Sequence, residues 1–218
     1  MLEAERDQVA RAARRLAADG LVAGTSGNVS ARVEDHVAIT PTGAVLAELQ
    51  AEQVTVVSRT GAVVEGALEP TSELGLHLGI YERFETGAVV HTHAPVATAL
   101  SCVLDELPCV HYEMLMLGGA VRVAPYTTFG TAELAVAVGD ALDGKTAALM
   151  ANHGAVTHGP DLATAVRATE LLEWAATVYW RAAAIGRPHI LGHAEQQAVI
   201  DAALARGYGR TRPADPAS

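Results

Sequence analysis

The sequence predicts an α/β layered domain with a mainly antiparallel or mixed sheet, on three observations. Segments of strand and helix pattern alternate along the chain. Several neighbouring strands are joined by turns too short for a crossover helix, which favours antiparallel pairing. A length of 218 residues suffices for one substantial core.

The elements follow in order. Residues 2–19 open as a helix, with Val9, Ala12, Ala13 and Leu16 on one face and Gly20 as the stop. Residues 28–32 and 37–40 alternate as short strands, and residues 54–57 and 62–65 form a hairpin about a Ser-Arg-Thr-Gly turn. A helix opens near Ser72, behind Pro70, and runs to about Phe84. Strand 88–93, helix 96–104, strand 121–124, helix 131–142 and strands 146–151 and 155–158 come next. Asp161 caps a long helix to about Ile185, and residues 194–205 make the last one. The chain shows no repeat and no internal linker; from about Thr211 it turns rich in Pro, Ala and Asp. The expected organisation is a single domain over residues 1–210 with a flexible C-terminal tail over 211–218.

Composition narrows the function classes. Hydrophobic residues make up 50% and aromatics 4%, a globular composition, and no apolar run approaches the roughly 20 residues of a membrane span. The N-terminus mixes acids and bases at helical spacing without an apolar stretch, so it does not read as a secretory signal, and a cytoplasmic location is expected. The net charge of -10 and the lack of a basic stripe argue against nucleic acid as a partner. That acidity gives no long-range help to an anionic substrate, so a phosphate site has to be built locally. Cys102 and Cys109 read as buried free thiols and not as a disulfide or zinc pair. The single lysine, Lys145, stands in an Asp-Gly-Lys turn. Schiff-base catalysis needs a desolvated lysine, so carbonyl activation here points to a metal instead.

Four segments carry the candidate chemistry. His91 and His93 are two residues apart in a strand pattern, so both imidazoles face one side and reach one ion; the bland alternative is a pair of satisfied histidines. Asn152 and His153 close another apolar strand, where a histidine points into a sheet-edge site or simply makes a turn. Three histidines with an open fourth position suit a catalytic zinc ion. Glu73 falls in the first turn of the helix behind Pro70, where an acid either offsets the helix dipole or serves as a general base. His77, four residues on, reads as a packing or ligand-supporting histidine in preference to a ligand. Residues 24–28 and 40–43 are Gly- and Thr-rich turns: ordinary hairpin turns or, with the helix start at Ser72, a phosphate cradle of neutral donors.

Together these segments resemble the class II aldolase/adducin family. Gly-Thr-Ser-Gly-Asn-Val-Ser (24–30), Thr-Pro-Thr-Gly (40–43), Pro-Thr-Ser-Glu (70–73), His-Thr-His (91–93) and Asn-His-Gly (152–154) stand in the family's order and spacing. The likeness extends through His111 and Tyr112, Tyr126, residues 128–131 and Tyr208, covering nearly the whole chain. It implies a three-layer α/β/α domain around a mainly antiparallel sheet, a homotetramer with active sites between subunits, and one zinc ion per subunit on His91, His93 and His153. It implies Glu73 as acid/base beside the metal. Phosphate is implied on Thr25, Gly27, Asn28, Thr42, Gly43, Thr71 and Ser72. Tyr112 is implied as a proton donor from the neighbouring subunit, and Tyr208 as a tail residue of the site. Thr71 stands where the pattern usually has serine, and Ser26 where alanine is commoner. The implied reaction is cleavage of a ketose 1-phosphate, like L-fuculose 1-phosphate, to dihydroxyacetone phosphate and a small aldehyde. The same scaffold hosts ribulose-phosphate 4-epimerases, a methylthioribulose-phosphate dehydratase and sugar-acid phosphate decarboxylases, so fold alone does not fix the reaction. Glu73 stands where the epimerases characteristically have Asp. The adducin-like interaction proteins lack the three histidines, which disfavours that non-enzyme reading.

Overall fold

The computed structural model describes residues 1–208, so the expected tail, residues 211–218, lies outside the described residues. The strands are β1 (Asn28–Val33), β2 (His36–Ile39), β3 (Thr55–Ser58), β4 (Val63–Glu65), β5 (Ala88–Thr92), β6 (Glu106–Leu107), β7 (Val121–Ala124), β8 (Ala147–Met150) and β9 (Gly154–Gly159). Among the described residues they form one sheet in the order β4-β3-β2-β1-β5-β9-β8-β7-β6. All neighbours are antiparallel except β7 and β8, which run parallel. The helices are α1 (Glu3–Ala18), α2 (Leu74–Arg83), α3 (Pro95–Ser101), α4 (Ala132–Ala141), α5 (Leu162–Ile185) and α6 (His193–Arg206).

The sheet pleat sorts its side chains into two cores. Val29, Ala31, Ala88, Val90, Leu149 and Ala155 point to one face, under α1, α3 and α5. Val37, Ile39, Val57, Val89, Met150 and Val156 point to the other, under α2 and α4. This is the three-layer α/β/α arrangement. Covering both faces explains why β1 and β2 bury nearly every residue and do not alternate buried with exposed as expected. Each fully buried leucine or valine contributes roughly 1.5–3 kcal/mol of transfer free energy, so both helix layers are needed.

Three boundaries differ from the sequence reading in ways that matter for the site. Helix α2 begins at Leu74, and Glu73 is its N-cap residue. Strand β5 ends at Thr92, paired with Ala155, because Pro95 starts α3 two residues after His93. His93 therefore sits in the connection and not in the strand. Helix α3 is also shorter than expected, and a 3-10 helix over Tyr112–Leu117 had no periodic signal to reveal it.

Candidate active site

The site lies where the ends of β1, β5 and β8 meet the N-terminus of α2. Asn28 pairs with His91 across β1 and β5, which brings those two positions together at one sheet level. Gly27 makes the approach possible. A Cβ there would sit 2.8 Å from the His91 carbonyl oxygen, and its φ of 84° is open to glycine. His153 stands at the tip of the turn between β8 and β9, after Asn152 at φ 55°, a left-handed conformation that asparagine tolerates. Gly154 follows because a Cβ would meet the Thr92 carbonyl oxygen at 2.4 Å and the rings of His91 and His93.

The three imidazoles converge, with ring nitrogens within 4.8 Å of one another. His91 Nε2 lies 3.0 Å from His93 Nε2 and 3.1 Å from Glu73 Oε2, and His153 Nε2 lies 3.4 Å from Glu73 Oε1. His91 Nδ1 lies 2.9 Å from the Ala155 carbonyl oxygen, which can only accept, so Nδ1 carries the proton. The neutral ring then presents an Nε2 lone pair to another imidazole nitrogen and a carboxylate oxygen. Lone pairs so close need a positive charge between them, and a divalent metal fits this donor set. Burial and the neighbouring rings push His93 down to about 4, and burial also lowers His153, so both remain neutral donors near pH 7. Burial pushes the Glu73 carboxyl up, but His91, the Asn28 amide and His153 outweigh it, and the net shift is downward. The Asn28 N–H donated to Oε2 favours the ionised carboxylate.

Glu73 is 6% exposed, which removes the reading of a solvated helix-dipole acid. Oε2 accepts a 2.9 Å hydrogen bond from Asn28 Nδ2, while Oε1 is buried without a hydrogen-bond partner. His77 is not among the converging ligands. It is fully buried and bonded to Asn28 and Ser30. Glu173 of α5 accepts from the backbone N–H groups of Val96 and Ala97 at 2.9 and 2.8 Å, and so fastens the start of α3 just past His93.

A cavity of about 270 Å³ opens beside the cluster. Thr25, Gly27, Asn28, Thr42, Gly43, Thr71 and Ser72 all line it, together with Glu73, His93 and His153. Among the described residues no lysine or arginine lines it. Tyr126, Thr127 and Phe129 complete the wall; Thr127 Oγ1 is another buried atom without a partner, and nothing in its sequence context marked it. Tyr112 and Tyr208 do not line this cavity. Their hydroxyls lie 3.3 Å apart, and the residues are 40% and 65% exposed. Lys145 is elsewhere too, donating to the Gly118 carbonyl.

Comparison with known proteins identifies the family of the chain. Residues 7–180 match the Class II Aldolase and Adducin N-terminal domain. The chain is 36% identical over 213 residues to a 5-deoxy-D-ribulose 1-phosphate aldolase of Bacillus thuringiensis, covering 96% of this chain and 99% of that protein. It is 38% identical over 208 residues to a 5-methylthioribulose-1-phosphate/5-deoxyribulose-1-phosphate aldolase of Rhodospirillum rubrum, covering 94% of each. A solved L-fuculose 1-phosphate aldolase superposes with a TM-score of 0.87 at 34% identity, over 91% of this chain and 95% of that one. The chain belongs to the class II aldolase/adducin family, on its aldolase side.

Proposed function

We propose that the enzyme cleaves the C3–C4 bond of a ketose 1-phosphate to dihydroxyacetone phosphate and a small aldehyde, with zinc on His91, His93 and His153. The convergence of three imidazole nitrogens beside the buried Glu73 carboxylate carries this reading. Relatives named for 5-deoxyribulose 1-phosphate and fuculose phosphate differ in the aldehyde half, and the phosphate-bearing half is common to both. When bound, the metal supplies Lewis-acid stabilisation of negative charge developing on the substrate's oxygens.

The chain's own groups do the rest. Thr25, Thr42, Thr71 and Ser72 offer hydroxyls, and Gly27 and Gly43 open backbone, to a phosphate beside the α2 N-terminus. That neutral cradle fixes the register of the substrate. As C3–C4 breaks, the electron pair stays on C3 and the C4 hydroxyl gives up its proton. Glu73, a carboxylate at rest, takes up a proton from water and delivers it to C3; in the condensation direction the carboxylate removes that proton from C3 and passes it back to water. Tyr112 of a neighbouring subunit, with Tyr208, handles the proton at the aldehyde oxygen. Exposure of both tyrosines, away from their own cavity, supports a homotetramer that shares its sites.

The test incubates zinc-loaded enzyme with 5-deoxyribulose 1-phosphate and with L-fuculose 1-phosphate and measures dihydroxyacetone phosphate. Its appearance, with loss on chelation and resistance to borohydride trapping, is the expected result. If it never forms while ribulose 5-phosphate is epimerised or a methylthioribulose phosphate loses water, the site serves a sibling reaction. Mixing inactive Glu73→Gln and Tyr112→Phe chains should restore part of the activity; a fully active monomer removes the shared site.

A further inference from the structure

One buried chain of polar groups remains without a task. On β1, Asn28 and Ser30 are two residues apart and share the face under α2; on α2, Glu73, His77 and Tyr81 recur every four residues along one stripe. The two rows interlock. Asn28 Nδ2 lies 2.9 Å from Glu73 Oε2, and Asn28 Oδ1 lies 2.5 Å from His77 Nε2. His77 Nδ1 lies 2.7 Å from Ser30 Oγ, which lies 2.7 Å from the Tyr81 hydroxyl. His77 is 0% and Tyr81 5% exposed, so each bond counts.

The direction of every bond follows from one end. An ionised carboxylate only accepts, so the Asn28 amide turns its NH2 to Glu73 and its oxygen to His77. That oxygen also only accepts, so His77 donates from Nε2. The neutral ring then accepts at Nδ1, Ser30 donates to it, and the remaining bond must come from the Tyr81 hydroxyl. Burial pushes His77 down to about 3, which keeps the ring neutral and the order intact. The consequence falls on Glu73, which lines the cavity: Oε2 is tied to Asn28, while Oε1, 3.4 Å from His153 Nε2, has no hydrogen-bond partner among the described residues.

We propose that Tyr81, Ser30 and His77 are positioning residues that lock the Asn28 amide in one orientation, and through it fix Glu73 with Oε2 as a permanent acceptor and Oε1 as the oxygen that exchanges a proton with substrate. In the condensation direction the proton leaves C3 for Oε1, the electron pair stays on the substrate, and the carboxylate becomes a carboxylic acid whose Oε2 still accepts from Asn28. This rests on Glu73 as the acid/base. It also assigns the Asn28 side chain to the carboxylate, leaving one of its N–H bonds for a phosphate.

Two measurements test it. In zinc-loaded enzyme labelled with 15N-histidine, the His77 ring signal, identified by its loss in His77→Gln, should show protonated Nε2 and unprotonated Nδ1. The opposite tautomer, or a doubly protonated ring, overturns the chain without any variant having to fold. The second follows solvent proton exchange at C3 of dihydroxyacetone phosphate. His77→Phe should lower the exchange kcat about 10- to 100-fold, with KM and zinc content held. His77→Gln, whose amide can donate to Asn28 Oδ1 from a similar place, should recover most of the rate. Wild-type exchange in His77→Phe, or a Gln variant as slow as Phe, overturns the proposal. Glu73→Gln run alongside separates the two ideas: undiminished exchange there sinks the acid/base reading itself, whereas slow exchange there beside a fast His77→Phe sinks only the relay.

Discussion

Two of the molecule's concavities are opposite in character. The smaller, about 270 Å³, is walled by hydroxyls, glycines and imidazoles, and its reactive groups are held by partners that are themselves held. The larger, about 510 Å³, lies along α5 and the 3-10 helix and is lined mainly by apolar groups, among them Met116, Leu117, Leu171 and Trp174. Met116 there is 75% exposed. Size does not find the chemistry. Reactivity needs donors of one kind forced together, and among the described residues the small cavity has that. The apolar face has instead the makings of a contact surface. On the tetramer reading the two depend on each other, because Tyr112 lies in the same 3-10 helix as Met116.

The largest expected effect breaks the polar side alone. Replacing His91, His93 or His153 by alanine should abolish product formation and most bound metal, measured by elemental analysis, while light scattering shows an unchanged assembly. Glu73→Gln should keep the metal and the assembly but slow C3 proton exchange by on the order of 10²-fold or more. Breaking the apolar side should look different. Met116→Asp should dissociate the oligomer and lower activity with metal content intact; a dissociated enzyme with full activity would separate the two regions. Smaller still is a pH effect on stability. Above about pH 6.5 His77 is neutral folded and unfolded and contributes nothing. As pH falls from there towards about 3, the unfolded chain takes up a proton that the buried ring refuses, so stability drops; His77→Gln should flatten that limb in urea titrations. The smallest effect lies outside both regions. Asp161 Oδ1 accepts from Thr164 N–H at 2.7 Å and caps α5, so Asp161→Ala should cost about 1 kcal/mol by thermal melting without touching activity.

Much of this was legible in the sequence, for reasons that differ by residue. Asp161 and Thr131 proclaimed the starts of α5 and α4 because a capping oxygen acts over three residues. The histidine motifs were legible because metal ligands need fixed residue types at fixed spacings. The face on which Glu73 lies was not: burial at the N-cap depends on β1 and β5 arriving from elsewhere in the chain. Ser30 and Tyr81 escaped notice for the same reason. The pairs Asn28/Ser30 and Glu73/His77/Tyr81 each have the period of their element, but nothing local says that one row will lie on the other. The two-residue β6 and the 3-10 helix left no periodic trace at all.

Among the described residues no lysine or arginine lines the small cavity, which has a consequence for how substrate arrives. Most anion sites draw their ligands with basic residues, and added salt weakens them. Here the chain as a whole bears a net charge of -10, so on the proposed function a phosphate ester would approach against the protein's field and be captured only at contact, by hydroxyls and backbone. Screening shortens the reach of that repulsion, to about 10 Å at 0.1 M ionic strength. Modest salt should therefore speed substrate association instead of slowing it, an inverted ionic-strength dependence that marks a neutral cradle on an acidic protein.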